Sequence, residues 1–127
     1  MNSPAAIEPQ LDIILKAIFQ RKAISVTAVD VSDLTSYTDT IVIAEGNSNR
    51  QVTTLAEHVI KTLKGEKVTL LGKEGVREGE WALLDYGDVI VHIFDSESKS
   101  FFNLEGLWAD APKMDISAYK ADQTGDA

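Results

Sequence analysis

Two carboxylates, a glycine-led helix start and two histidines are the residues of this chain whose types could do chemistry. Asp85 and Asp88, within WALLDYGDVIVHIF, offer oxygens to a divalent cation. Gly46-Asn47-Ser48 opens a helical pattern whose first N–H groups could hold a phosphate. Joined, these would sketch a metal-dependent nucleotidyltransferase using Gly46, Ser48, Asp85 and Asp88. The spacing opposes it. Carboxylates that share a metal from one strand need alternate positions on one face, whereas Asp85 and Asp88 are separated by a turn and no third acid completes the set. As plain structure, Asp88 is a turn residue and Ser48 a helix cap.

His58 falls inside a helical pattern and His92 inside an apolar strand. Neither has a cysteine, a second histidine or a suitably spaced acid to complete a site. No motif marks an activated nucleophile. The expectation is therefore no catalytic residue, no metal and no cofactor. Trp81 and Tyr86 suggest a different use. They lie at opposite ends of one short strand, beside Asp85 and Asp88, and aromatics next to acids suit an interface anchor because they bury large area at low entropic cost.

Those residues depend on a hairpin. Trp81 to Tyr86 and Val89 to Phe94 are short apolar runs separated by Gly87 and Asp88, and a two-residue loop of that kind joins antiparallel strands. Ahead of it, Ile7, Leu11, Ile14, Leu15, Ile18 and Phe19 recur at helical spacing, with Pro9 in the first turn. Ile24 to Val31 and Thr40 to Glu45 read as strands. Ser48 and Gln51 form a capping-box pattern for a second helix carrying Val52, Leu55, Ala56, Val59, Ile60 and Leu63, which Gly65 stops. Val68 to Leu71 reads as a third strand and Gly72 to Glu80 as a mobile loop. Ser96 is a candidate cap for a last helical segment holding Phe101, Phe102, Leu104, Leu107 and Trp108. The order predicts a single α/β domain with a mixed five-stranded sheet, since a helical crossover favours a parallel pair and a hairpin requires an antiparallel one.

Residues 1–108 are expected to form that domain and 109–127 a flexible acidic tail, because the tail's apolar residues keep no period. The 127 residues suffice for one core without disulfides, and the chain has no cysteine. Twelve basic against twenty acidic residues give a formal charge of −8, which argues against direct binding to a nucleic-acid backbone, so no direct sequence-specific nucleic acid is expected and a basic protein surface is the favoured partner. With no export-like N-terminus and no apolar run near the roughly 20 residues that span a bilayer, the expected location is cytoplasmic, away from membranes.

Three stretches in order, AVDVSDLTSYTDTIVIAEGNSNRQVTTLAEHV, WALLDYGDVIVHIF and FFNLEGLW, resemble the ribosomal silencing factor family, also called Iojap-like. The family shows a Thr-Asp strand pair, a Gly-x-Ser-x-Arg helix start, a W-x-x-x-D-x-G-D-V-x-V-H hairpin and a closing L-E-x-L-W, and the resemblance spans roughly Leu11 to Trp108. It implies a fold similar to a minimal nucleotidyltransferase core without catalytic activity. It also implies binding to the large ribosomal subunit through the ribosomal protein numbered fourteen, with a block to small-subunit joining that damps translation when nutrients are scarce. A ribosome assembly role on the same surface is the alternative. Matched residue by residue, Trp81, Asp85, Tyr86 and Asp88 fall on the family's contact surface. Tyr86 stands where many members carry an aliphatic residue, and Phe102 where a tyrosine is common. Family members also pair as homodimers, for which Phe101, Leu104, Leu107 and Trp108 are the candidate interface.

Overall fold

Pro9 lacks an N–H and has its φ fixed, so it is tolerated in a first helical turn. In the computed structural model, which describes residues 8–98 and 103–120, helix α1 spans Pro9–Gln20 behind Glu8. Its Leu11, Ile14, Leu15 and Ile18 are fully buried. Strands β1 (Ser25–Asp30) and β2 (Thr40–Gly46) follow, then helix α2 (Asn49–Gly65). Ser48 caps α2 by accepting the Gln51 N–H at 3.1 Å. The Gln51 side chain accepts from Asn47 N, one residue before the cap, and donates to the carbonyls of Arg21 and Lys22. One amide thereby ties the end of α1 to the start of α2. The helix runs through Gly65 instead of stopping before it. The left-handed position falls on Lys67, at φ 64°.

Strand β3 is Gly72–Glu74, inside the stretch expected to be a mobile loop, and not Val68 to Leu71. Main-chain pairing with β4 (Trp81–Asp85) makes it a strand although all three of its residues are exposed. The connection to β4 is also fastened: Thr53 Oγ1 donates to the Val76 carbonyl at 2.6 Å. Strand β5 spans Val89–Asp95. The sheet order is β1-β2-β5-β4-β3, with β2 and β5 parallel and every other pair antiparallel. The mixed five-stranded sheet predicted from sequence is therefore present. After β5 the cap is Asp95, whose carboxylate accepts the Ser98 N–H at 2.7 Å; Ser96, expected in that role, donates to the Gly46 carbonyl. A short helix, α3, covers Leu104–Leu107.

Alternation sends the two sheet faces to different neighbours. Val26, Ala28, Val42, Ala44, Ala82, Leu84, Val89, Val91 and Ile93 meet α1 and α2 in the main core. Val29, Ile41, Ile43 and Phe94 point the other way and form a second cluster with Val31 and Ala111. Ala111 lies in the stretch expected to be a flexible tail, and that expectation is corrected for residues 109–120. Lys113 pairs antiparallel with Val29, Asp30 N donates to the Pro112 carbonyl at 2.9 Å, and Met114 N donates to the Ala28 carbonyl at 2.8 Å. Ile116 is buried in the main core. Tyr119 stacks on Phe19 and donates its hydroxyl to Asp12 at 2.5 Å. The segment is a strap that runs along the β1 edge and returns to α1, so the outer Asp30 N–H and Ala28 C=O of that strand find partners.

Candidate docking surface

The β4–β5 hairpin places Trp81 opposite Phe94, Leu83 opposite His92 and Asp85 opposite Ile90. All six side chains fall on the face turned away from the helices. Trp81, Leu83, Asp85 and Ile90 are half-buried, whereas His92 and Phe94 are covered. The Trp81 ring stacks on Phe94 with centroids 5.0 Å apart, and its Nε1–H donates to Nδ1 of His92 at 2.9 Å. An acceptor role for Nδ1 puts the proton of the neutral imidazole on Nε2. Burial holds the His92 pKa down at about 4, so this neutral form prevails at ordinary pH. The indole is thus fixed in orientation before any partner arrives, which lowers the entropy cost of using it.

At the hairpin end, Tyr86 N bonds to the Val89 carbonyl at 3.0 Å, leaving Gly87 and Asp88 as the loop. Of the two loop residues only Gly87 takes a positive φ, 88°, the pattern of a turn with glycine at its first central position. Asp85 Oδ1 accepts the Gly87 N–H at 2.8 Å, and the Asp88 carbonyl accepts from both Asp39 N and Thr40 N at 3.1 Å. The Asp88 carboxylate is exposed. Burial, and then the charges of Asp88 and Asp39, push the Glu8 carboxyl above its usual range. Three acids therefore share one field where the hairpin, the entry to β2 and the start of α1 meet. Such a rim favours a basic partner.

Tyr86 corrects the sequence reading. Alternation places it with Ala82 and Leu84 on the helix side, where it is only 4% exposed, so its ring belongs to the main core and cannot serve as a free anchor. Its hydroxyl finds no hydrogen-bond partner among the described residues, and burial pushes its pKa up to about 12. Two apolar residues that the sequence reading passed over, Leu83 and Ile90, lie on the Trp81 face instead. Their signal was the same alternation that places Trp81. Leu71, 65% exposed, adds apolar surface near Gly87.

Of the candidate dimer residues, Leu107 is 71% exposed, while Trp108 is half-buried against the cluster built on Val29, Ile41 and Phe94. That packing within the chain takes up part of its surface. Phe101 lies outside the described residues, and for Leu104 the description is limited to its place in α3. The residues considered for nucleotide chemistry are not gathered into one site. Ser48 caps α2 beyond the C-terminal end of β2, and Asp88 lies in the loop before β5, the strand parallel to β2. Among the described residues no group of three or more His, Asp or Glu side chains is placed to hold a metal ion. No described helix is long and apolar enough to cross a membrane.

A family model described as "Ribosomal silencing factor during starvation" matches residues 4–127, including the strap. Over 106 residues the chain is 32% identical to a ribosomal silencing factor of Halalkalibacterium halodurans, covering 84% of this chain and 91% of that protein. It is 36% identical to the Chromobacterium violaceum ribosomal silencing factor over 107 residues, covering 84% and 88%. A crystal structure of a Chromobacterium violaceum protein superposes with a TM-score of 0.79 at 36% identity, covering 82% of this chain and 87% of that one. With a family model matching nearly its whole length and relatives at this identity, the chain belongs to the ribosomal silencing factor family.

Proposed function

We propose that this protein is a non-enzymatic translational repressor that docks on the large ribosomal subunit through the outer face of its β4–β5 hairpin. The observation that carries the reading is the fixed, half-exposed Trp81 beside half-buried Leu83 and Ile90, with Asp85 and exposed Asp88 at the same hairpin. This is the anatomy of an interface with an aromatic centre and a charged rim. The partner that fits is a basic ribosomal protein, and the family resemblance names the large-subunit protein numbered fourteen. Trp81 is the anchor, Asp85 and Asp88 pair with basic groups, and Tyr86 supports the hairpin from beneath.

Repression then needs occupancy rather than chemistry. A folded body of roughly 100 residues has a radius of gyration near 13 Å, and hence a thickness of about 30 Å. Seated between the subunits, it keeps them beyond contact distance. An interface of about 800 Å² on each partner with one strong anchor suffices to hold it there. Where copies of the chain pair, the exposed Leu107 is the described apolar residue to examine.

Sucrose-gradient sedimentation tests the proposal. Purified large subunits are mixed with the protein, and small subunits are then added under joining conditions. Co-migration with the large subunit and loss of the joined peak is the expected result. Normal joining despite co-migration would turn the reading toward ribosome assembly, and absence from the large-subunit fraction at low salt would overturn it.

A further inference from the structure

The negative charge of this chain is not spread evenly. α1 and α2, taken through Lys22 and Lys67, hold seven of the twelve basic residues and three of the twenty acidic ones, a net of +4, which leaves −12 for the rest of the chain. Helix pairing concentrates part of that charge. The Gln51 amide bonds to the carbonyls of Arg21 and Lys22, drawing the end of α1 against the first turns of α2, where Arg50 lies. His58, a little over two turns into α2, accepts from Arg21 at 3.4 Å through Nδ1, while its Nε2 meets Gln20 at 2.8 Å. Burial and then the charges of Arg21 and Lys61 hold the His58 pKa below its usual value, so both cations act on one ring.

Arg21, Lys22, Arg50 and Lys61 are all exposed, and none forms an ion pair with a carboxylate among the described residues. Arg21 and Arg50 line an open depression of about 330 Å³ together with Asn47, Ser48, Gln51 and Thr54, with no acid in its wall. Cations left unpaired in so acidic a protein form a distinct surface. It lies across the sheet from Trp81 and Asp85.

We propose that the face carrying Arg21, Lys22, Arg50 and Lys61 contacts an RNA backbone, reading phosphates and not sequence, while the acidic hairpin addresses a protein. Spaced cations with hydroxyl and amide donors between them suit a run of phosphates, and each neutralised phosphate releases a counterion. Naming ribosomal RNA as the occupant rests on the docking reading above; the binding of a backbone does not. The two faces carry opposite charge and so answer to different partners on one particle built of both RNA and protein.

The test uses a fluorescent 20-base-pair RNA duplex and the full chain, with anisotropy read across a salt series. Wild type is expected to bind weakly, with a dissociation constant on the order of 10⁻⁴ to 10⁻⁶ M. Arg21→Gln/Arg50→Gln/Lys61→Gln should bind at least about tenfold more weakly, with the log–log salt slope reduced by about two to three. Lys73→Gln/Arg77→Gln/Lys113→Gln, which changes net charge equally at exposed sites elsewhere, should change affinity by less than about threefold. No wild-type binding, an equal effect of both triple variants, or equal displacement by polyglutamate at matched charge would overturn the assignment, the last in favour of an acidic polypeptide. Large-subunit sedimentation of the same proteins separates the two readings. Weakened sedimentation of Asp85→Asn/Asp88→Asn with intact duplex binding reports on the hairpin, whereas unchanged sedimentation of the first triple variant removes ribosomal RNA as the occupant.

Discussion

Trp81 and His92 are joined by an indole N–H donated to Nδ1 at 2.9 Å, diagonally across β4 and β5. Protonation of His92 would replace that acceptor with an N–H and break the bond. Burial holds its folded pKa at about 4 against an ordinary 6.5, so as pH falls the unfolded chain takes up this proton first. The stability involved is complete above about pH 6.5 and is lost between pH 6.5 and 4, amounting to about 2 kcal/mol by pH 5. Urea unfolding at pH 7 and pH 5 should show this loss in wild type, and His92→Gln should show a loss smaller by about that amount. Equal losses would mean that His92 does not control the pH response.

Replacing Trp81 should separate anchoring from orientation. Trp81→Ala is expected to weaken large-subunit binding by at least about 2 kcal/mol, roughly thirtyfold. Trp81→Phe keeps an aromatic ring over Phe94 but leaves Nδ1 of His92 without its donor, costing about 1–2 kcal/mol of stability. Its binding should fall between wild type and alanine. Sedimentation of variants first shown by circular dichroism to be folded gives the order.

At Tyr86 the expectation runs toward greater stability. Tyr86→Phe removes a buried hydroxyl with no partner among the described residues and should raise stability by about 1 kcal/mol, seen as a rise of a few degrees in Tm. Large-subunit affinity should not change, because the ring faces the core. A lower Tm would show that the hydroxyl has a partner after all.

The loop before Trp81 controls where that residue sits. Gly75 has φ 71°, and a Cβ there would come within 2.0 Å of the Trp81 carbonyl oxygen. Gly75→Ala should therefore cost more than about 2 kcal/mol of stability and also weaken docking, since the backbone of Trp81 must shift. At Gly72 a Cβ meets nothing within 4 Å, and Gly72→Ala should lie within about 1 kcal/mol of wild type. Paired thermal melts and binding curves check the contrast.

Removal of residues 110–127 deletes Ala111 and Ile116 from their clusters and uncovers β1. Loss of several kcal/mol and concentration-dependent aggregation are expected, because two buried side chains and an edge cover go together. Tyr119→Phe alone should cost about 1 kcal/mol for its bond to Asp12. A truncated chain that melted like the full one would make the strap dispensable.

How far each feature was legible in the sequence follows from what kind of force makes it. The hairpin and α2 could be read because their signals are local: aliphatic runs around Gly87-Asp88, and Ser48 with Gln51 ahead of a helical stripe. β3 could not, since Gly72, Lys73 and Glu74 carry no strand-favouring side chain and are ordered by main-chain bonds to β4. The strap shows no period because its anchors meet different elements, Ala111 the outer cluster, Ile116 the main core and Tyr119 the first helix. Tyr86 was misplaced by its neighbours in sequence, the acids of the turn, although its alternation with Ala82 and Leu84 already put it on the helix side.

The hydroxyl of Tyr119 reaches Asp12 across 107 positions of chain. During synthesis, therefore, the first helix is made early but is clasped only once Tyr119 has emerged. Contacts of such long sequence separation form late and slowly. The first helix thus waits for a clasp made 107 residues later, and its packing against the strap is among the last contacts of the fold to close.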